Sequence, residues 1–418
     1  MKTVALGDFK GAAENLKKGV NVKANKFGEI LAISFMKKDA KLRTCTITDG
    51  EEKIAAIRNW MAKYVRVSGP SLYETPLSYQ MTDIDTILKE RYASRFDYIR
   101  TMCALMKGVG LDADIVFAAN DFTDAERTRI RDVLEYPNVG KYSIPVCRVR
   151  VKSGSFLGMG GTVREYFIGT ENEYTPVTAS SVGRSTCLDV DSEIPVGLKS
   201  RIAADEDAVS SRYTIYVREN GAVDIDYEQE TKGASVGAFR KLYSEMLPED
   251  RSRHFQKMLG ALAQAASATR ELVTDIKAAK LSFSAFIPDY ATKAGDTMTV
   301  TLPEIGFSLP SLTGSVRETP IFIPGNRTSR SVEVKVVFPE GYSEIEHLPR
   351  SLGRYGYSID AGSVTKDSKG RLVLTVAERT DSRRSVMYGA DDFAALKDFS
   401  RVASGRANRT VIVRRKAR

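Results

Sequence analysis

The sequence predicts an α+β protein in which a helix-rich first part leads into strands, followed by a mainly antiparallel β-sandwich region with a helical insertion. Residues 46 to about 180 read as three helices and then three strands, because the apolar spacing changes from helical to alternating. Most of 210–418 reads as short strands separated by turns. At 418 residues the chain is long enough for two or three domains.

The most regular helical pattern lies within residues 90 to 121. Four apolar residues recur there at i, i+3, i+7 and i+10, namely Phe96, Ile99, Cys103 and Met106. This spacing predicts one buried face, and Gly108 and Gly110 predict the end of the helix. The segments DADIVFAA, IPVCRVRVK and VREYFIGTE are typical of strands, while KIAAIRNWMAKYVR predicts an earlier helix. Thr82 and Asp85, spaced as Thr-x-x-Asp, predict the cap of a short helix that runs through Leu88.

The second half combines a strong hairpin signal with a helical interruption. YTIYVRENGAVDIDYE alternates on both sides of Asn220-Gly221, a dipeptide typical of a hairpin turn. VGAFRKLYSEMLPEDRSRHFQKMLGALAQAA predicts the inserted helices, with Pro248 in the first turn of the second one. TMTVTLP, VEVKVVFP, RLVLTVAER and RTVIVRR predict further strands.

Composition and charge narrow the class of protein. Hydrophobic residues make up 42% and charged residues 28%, which is typical of a globular protein. No apolar run reaches the roughly 18 residues of a membrane helix, so no transmembrane segment is predicted. Asp8 and Glu14 interrupt the apolar part of the start, unlike in a signal peptide. The net charge is +9, but no nucleic-acid-binding motif accompanies the basic end at 401–418, so nucleic acid is not expected as a partner.

Cysteine and histidine usage restricts the possible chemistry. The cysteines at 45, 103, 147 and 187 form no C-x-x-C, which argues against a zinc ribbon and a thioredoxin-type motif but leaves a long-range disulfide open. The two histidines, His254 and His347, both lie in the second half. No group of carboxylates has convincing metal spacing. We therefore predict neither a metal nor a cofactor.

The order of elements in 46–180 resembles the transglutaminase-like (papain-like) core. The matching segments are KIAAIRNWMAKYVR, TILKERYASRFDYIRTMCALMKGVGLDADIVF and YFIGTENEYTPV. VVFPEGYSEIEHLPR and the last strands are similar to the C-terminal β-rich domain of unknown function in bacterial envelope members of this family. The resemblance implies an exported, periplasmic or envelope-associated protein, with a cytoplasmic location as the alternative.

The same resemblance implies domain limits. Residues 1–45 would be a linker or the remnant of a preceding domain, and 46–185 the transglutaminase-like domain. Residues 205–418 would form the C-terminal β-rich region, with a final β domain from about 318.

Active members of this family carry a cysteine at the start of the site helix, a histidine on the next strand and an aspartate on the strand after it. The helix dipole lowers the pKa of the thiol, and the other two residues form the base and its orienting group. In this sequence the three positions hold Arg95, Cys147 and Gly169, and no histidine occurs before His254. The resemblance therefore implies a pseudoenzyme with a degenerate catalytic triad.

The substitution at Arg95 allows two interpretations. Arg95, Asp97, Tyr92 and Arg148 are candidate binding residues, because a converted cleft could hold a peptide or another carboxylate-bearing ligand. The other interpretation is structural: Arg95 pairs with a nearby acid such as Asp97, Asp83 or Asp85.

We expect a non-catalytic binding or structural module of the cell envelope whose partner is such a ligand or another envelope protein. Two alternatives remain open at this point. One is a thiol-dependent transglutaminase or peptidase that uses Cys147 as a relocated nucleophile. The other is an assembly module that adds strands to the sheet of a partner.

Overall fold

The computed structural model describes residues 49–70, 74, 81–119, 142–153, 162–183, 185–189, 199–201, 206–303, 318, 320–323, 328–381 and 386–415. The predicted segment 1–45, including Cys45, lies outside these residues. The chain divides into two compact units, Met1–Glu206 and Asp207–Arg418. No helix in the described part is long and apolar enough to cross a membrane.

In its described residues, the first unit combines three helices with a five-stranded sheet and a pair of short parallel strands. Its helices are α1 (Gly50–Tyr64), α2 (Ile84–Glu90) and α3 (Arg95–Gly108). Its strands are β1 (Arg66–Ser68), β2 (Tyr92–Ser94), β3 (Asp112–Ala118), β4 (Ile144–Ser153), β5 (Thr162–Ile168), β6 (Thr186–Asp189) and β7 (Lys199–Arg201). β1 and β2 pair in parallel, and the larger sheet has the antiparallel order β5-β4-β3-β6-β7.

Each helix of the first unit begins at a polar cap. The carboxylate of Asp49 accepts the amides of Glu51 and Glu52 at the start of α1. At α2 the cap is Asp83, which accepts the amide of Thr86, so the predicted cap at Thr82 is wrong by one residue. Ser94 caps α3.

The apolar face of α3 packs on the sheet. Its four predicted core residues, Phe96, Ile99, Cys103 and Met106, are all buried, which confirms the predicted face. The helix shares one core cluster with side chains of β3, β4 and β5, among them Ile115, Cys147 and Ile168. A fully buried apolar side chain of this kind contributes about 1.5–3 kcal/mol relative to an exposed one. This burial holds the start of α3 at a defined place beside the sheet.

The described part of the second unit contains two larger sheets, a small one and three α-helices. Its helices are α4 (Ser235–Glu245), α5 (Pro248–Leu262) and α6 (Phe393–Ala403). Its first strands are β8 (Ala208–Val217), β9 (Val223–Lys232), β10 (Ser267–Asp275), β11 (Lys280–Ile287), β12 (Thr292–Ala294), β13 (Thr297–Thr301) and β14 (Ile321–Ile323). The later strands are β15 (Ser329–Val337), β16 (Tyr342–His347), β17 (Leu352–Arg354), β18 (Tyr357–Asp360), β19 (Val364–Lys366), β20 (Leu372–Asp381), β21 (Val386–Tyr388) and β22 (Thr410–Arg415).

The nine-stranded sheet has the order β10-β11-β9-β8-β15-β20-β18-β17, with β19 also paired to β20. The four-stranded sheet has the order β12-β13-β22-β16, and β14 pairs with β21. The two larger sheets share one apolar core, in which Val336 and Leu374 of one sheet meet Val300 and Val413 of the other. The inserted helices α4 and α5 pack with β9, β10 and β11 in a second core.

A mixed α+β architecture with mostly antiparallel sheets and six α-helices in the described part is confirmed. The hairpin predicted at Asn220-Gly221 joins β8 to β9, and Gly221 adopts φ +88°. Pro248 begins α5, also as predicted. Strands that come before residue 318 and strands that come after it belong to the same nine-stranded sheet. The domain limits inferred from the resemblance remain predictions.

Candidate functional site

The start of α3 lies where two parallel strands end. β1 and β2 pair from Arg66↔Tyr92 to Ser68↔Ser94, and α3 begins at the next residue, Arg95. The hydroxyl of Ser94 accepts the amide of Asp97 at 3.1 Å, which satisfies one of the free amides of the first turn. Arg95 is exposed at this terminus. The first residue of α3 therefore presents its side chain to solvent.

The side chain of Asp97 is buried and pairs with Arg100, not with Arg95. Its carboxylate accepts Nε and Nη2 of Arg100 at 3.1 and 2.8 Å and the amide of Thr82 at 3.1 Å. Asp97 and Arg100 are both buried, so this pair anchors the first turn of α3 to the segment before α2. Within the described part of the chain, no acid lies within ion-pair distance of Arg95. The structure therefore does not show the predicted pairing of Arg95 with Asp97, Asp83 or Asp85.

Tyr92 lies close to Arg95 along the chain and is half exposed. Its hydroxyl donates to the carbonyl of Gly69 at 3.4 Å, which ties β2 to the end of β1. Of the four candidate binding residues, Arg95 and Tyr92 are therefore on the surface near the start of α3, whereas Asp97 is internal.

Cys147 lies on β4 on the face that packs against α3. It pairs with Ile115 of β3 and Ile168 of β5, and its side chain is 0% exposed. A hydrogen bond with Cys103 of α3, together with burial, raises the pKa of the Cys147 thiol well above its usual value. A thiol that is kept protonated and out of solvent is a poor nucleophile.

Arg148 faces away from α3. Neighbouring residues of a strand point to opposite faces of the sheet, so Arg148 shares the face of Val146, which belongs to a different core cluster. Its Nε lies 2.8 Å from Oδ1 of Asp114, and its Nη2 bonds Oδ2 of the same carboxylate. Burial alone would raise the pKa of Asp114, but Arg148 and then Arg150 lower it below the usual value. The structure therefore places Arg148 on the face of the sheet opposite to α3 and does not bring it together with Arg95.

Gly169, to which the resemblance assigns the triad aspartate, lies directly after β5. A Cβ on Gly169 would lie 3.0 Å and 3.1 Å from the carboxylate oxygens of Glu171. Glu171 is held there by four donors: the amides of Gly169 and Ser181 at 2.6 and 2.9 Å, and the hydroxyls of Ser181 and Ser180 at 2.8 and 3.4 Å. The space beside residue 169 thus contains a carboxylate that comes from two residues further along the chain.

Glu171 also interacts with two buried polar groups on the helices. Burial lowers the pKa of Arg58 on α1, and the charge of Glu171 opposes this shift. Burial raises the pKa of Tyr98 on α3, and the charge of Glu171 adds to it. Arg58 is only 3% exposed. Arg58, Tyr98 and Glu171 form a buried polar cluster that joins α1, α3 and the loop after β5.

Comparison with the catalytic positions of the resembled family did not reveal this cluster. One signal was present: Arg58 lies four residues after Ile54 and three before Met61, so helical spacing places it on the buried face of α1. A charged residue at such a position needs a buried partner of opposite charge. The acid could have been sought near the ends of the strands, where Glu171 is found.

The second unit contains a polar groove of about 690 Å³ on the outer face of its large sheet. Ser210 and Ser331 lie at its centre, with their hydroxyl oxygens 3.0 Å apart. Arg212 pairs there with Glu333 at 3.0 Å and with Glu228 at 3.6 Å. The groove is lined by more acidic than basic side chains: Glu228, Glu230, Asp275, Glu333, Asp360 and Glu378 against Arg212, Lys280 and Arg379.

No group of three or more His, Cys, Asp or Glu side chains in the described residues could hold a metal ion. No family model and no curated protein matches the sequence. Among solved structures, the chain is similar to a "putative protease" from Parabacteroides distasonis ATCC 8503, with a TM-score of 0.46 and 9% identity. The similarity covers 97% of this chain and 58% of that one, so the chain spans less than two thirds of that protein. At this TM-score neither the fold nor the activity of that protein is transferred.

Proposed function

We propose that this chain is a non-catalytic, transglutaminase-like protein that acts as a binding or structural module of the bacterial cell envelope. The observation that carries this proposal is the exposed guanidinium of Arg95 at the start of α3, where catalytic members of the resembled family have a thiol. The envelope location is implied by the resemblance alone.

The environment of Cys147 supports the absence of thiol chemistry. A nucleophilic cysteine needs an electropositive, accessible setting that favours its thiolate. Cys147 is fully buried, its hydrogen-bond partner is another thiol, and its pKa is raised. These features also count against the alternative in which Cys147 is a relocated nucleophile.

The setting of Arg95 supports an anion-binding role. A cation at a helix N-terminus is unfavourable by a few tenths of a kcal/mol, because it faces the positive end of the helix dipole. Asp97 does not compensate for this cost, since it is already paired with Arg100. A carboxylate from outside could accept bonds from the guanidinium and benefit from the same dipole. We therefore propose the terminal carboxylate of a peptide as the ligand class.

The strand edges of the second unit give little support to the strand-addition alternative. In the nine-stranded sheet, the edge strand β10 has two register irregularities and β17 has three residues. In the four-stranded sheet, β12 has three residues and β16 has two irregularities. Short and bulged edges hinder pairing with another chain.

A binding experiment tests the proposed role of Arg95. Short peptides with a free C-terminal carboxylate, and the same peptides as C-terminal amides, are titrated into the full chain by isothermal calorimetry. We expect the carboxylate forms to bind more tightly, and Arg95→Gln to weaken that binding on the order of tenfold. Arg330→Gln removes an exposed arginine from β15 and serves as the matched control, with unchanged affinity expected.

Two results would contradict this binding proposal. One is equal affinity for carboxylate and amide peptides. The other is an Arg95→Gln variant that binds as tightly as the Arg330→Gln control.

A further inference from the structure

Two cysteines of the first unit meet across the interface between helix and sheet. Cys103 lies on the buried face of α3 and Cys147 on β4, against which α3 packs directly. Both are free thiols, 4% and 0% exposed, in the same apolar core cluster. Helix packing therefore brings both thiols to one interface, and the nearby Cys103 contributes to the raised pKa of Cys147.

The third cysteine of the described part is separated from this pair. Cys187 lies on β6, opposite Ala118 of β3, in the core cluster on the other face of the sheet. A disulfide requires Cβ atoms about 3.5–4.5 Å apart with suitable directions. A thiol behind the sheet cannot meet this requirement for a partner on α3. Of the possible pairings among Cys103, Cys147 and Cys187, the fold thus favours the one between Cys103 and Cys147.

We propose that Cys103 and Cys147 form a disulfide that links α3 to β4 when the chain folds in the presence of a disulfide oxidant such as glutathione disulfide. One cysteine thiolate attacks a sulfur of glutathione disulfide and releases one glutathione thiolate. The second cysteine, after loss of its proton, attacks the mixed disulfide and releases the second glutathione. Two electrons pass to the oxidant, which becomes two molecules of glutathione.

Burial determines when this reaction occurs. In the folded chain the oxidant cannot reach either sulfur, so oxidation requires local opening of α3 or takes place before the core closes. The link is expected to form readily during refolding and slowly in the native protein. The shared burial of Cys103 and Cys147 does not depend on whether the protein is catalytic.

Peptide mapping tests the pairing directly. The full chain is unfolded, reduced, refolded with reduced and oxidised glutathione, alkylated and digested with trypsin. Cys103 and Cys147 lie in the tryptic peptides TMCALMK and YSIPVCR. We expect these two peptides to be recovered mainly as one linked species, two hydrogen atoms lighter than their sum. Links to Cys45 or Cys187 as the main product, or no link in conditions that oxidise a control dithiol protein, would overturn the proposal.

Thermal unfolding provides a second measurement that does not depend on digestion. A cross-link that closes a long loop is expected to raise the Tm of the refolded chain by about 5 °C or more relative to the reduced form. Cys187→Ser is the matched control and should keep this difference. Cys103→Ser and Cys147→Ser should abolish it. An equal oxidant effect in Cys103→Ser and in the unaltered chain would contradict the link.

Discussion

The carboxylate of Glu171 occupies the space into which a side chain on residue 169 would project. Gly169 does not have the positive φ that favours glycine, so its backbone would accept other residues. The Glu171 oxygens lie 3.0 and 3.1 Å from the position of a Cβ, so they would have to move by a few tenths of an ångström to admit a side chain, and four hydrogen bonds hold them in place. The glycine at residue 169 and the approach of Glu171 are thus parts of one arrangement.

Placing an acid at position 169 is expected to destabilise the protein. Gly169→Asp would place a second carboxylate against Glu171 in a buried site, which adds overpacking to like-charge repulsion. We expect the free energy of unfolding in urea to fall by about 2 kcal/mol or more. Gly353→Asp is the matched control, because nothing lies within 4 Å of its Cβ.

The double variant Gly169→Asp with Glu171→Ala tests whether Glu171 causes the loss of stability. If Glu171 is the obstacle, adding the aspartate costs much less in the Glu171→Ala background than in the unaltered chain. Equal costs in both backgrounds would show that Glu171 is not what excludes a side chain at residue 169.

Loss of the Asp97 carboxylate is expected to loosen the start of α3. Asp97→Ala leaves the buried Arg100 without its carboxylate partner and the amide of Thr82 without its acceptor. Breaking a buried pair in this way costs about 3–5 kcal/mol. Asp83→Ala, which removes only an exposed helix cap, should cost about 1 kcal/mol. Comparable effects of the two substitutions on urea unfolding would refute the anchoring role of Asp97.

Glu378 on β20 is expected to make the stability of the second unit depend on pH. Its side chain is 6% exposed, and burial raises its pKa to about 7, although a hydrogen bond with Tyr357 and the charge of Arg409 oppose the shift. The folded state therefore holds the proton more tightly than the unfolded chain, whose ordinary value is 4.5. The stabilising contribution is complete below about pH 4.5 and is lost as the pH rises through about 7.

Glu378→Gln should remove this dependence. Near pH 8 we expect the variant to be more stable than the unaltered chain by about 1–3 kcal/mol, with little difference near pH 4. Glu344→Gln, at an exposed position of β16, is the control for a general change of charge. A Glu378→Gln variant with the same pH profile as the unaltered chain would exclude this titration.

The reduced chain is expected to show an unreactive Cys147. Because the thiol is buried and its pKa is raised, labelling by iodoacetamide near pH 7 should be at least about tenfold slower in the native protein than in urea. Mass spectrometry of the YSIPVCR peptide measures this rate, and Cys187, also buried, provides the internal comparison. Native labelling of Cys147 faster than in urea would favour the relocated-nucleophile alternative.

Local patterns in the sequence predicted the elements that local interactions determine. The stripe from Phe96 to Met106 identified the face of α3 that is buried, because helical spacing and burial coincide there. Asn220-Gly221 identified the β8–β9 hairpin, because the turn demands a positive φ that Gly221 supplies. Both signals lie within a few residues of the structure that they determine.

Tertiary contacts account for what the sequence could not show. Thr82 was predicted to cap α2, but its amide donates to Asp97 and its carbonyl accepts a hydrogen bond from Arg100. Asp83 caps the helix instead. β15 pairs in parallel with β8, which is distant in the sequence, and no local pattern predicts that partner. The same holds for Glu171, whose role depends on folding back against Gly169.

One error could have been avoided from the sequence. Cys147 and Arg148 are consecutive on a predicted strand, and the period of two places them on opposite faces of the sheet. Only one of them could therefore face α3. The structure assigns that place to Cys147 and pairs Arg148 with Asp114 on the other face.

The central claim, that the fold no longer performs thiol chemistry, is tested most directly by an activity assay. The reduced full chain is incubated with glutamine-containing peptides and an amine donor, and separately with a general peptide library, before and after treatment with iodoacetamide. We predict no transamidation and no peptide cleavage above the level of a heat-inactivated sample. Sustained turnover that iodoacetamide abolishes would contradict the claim.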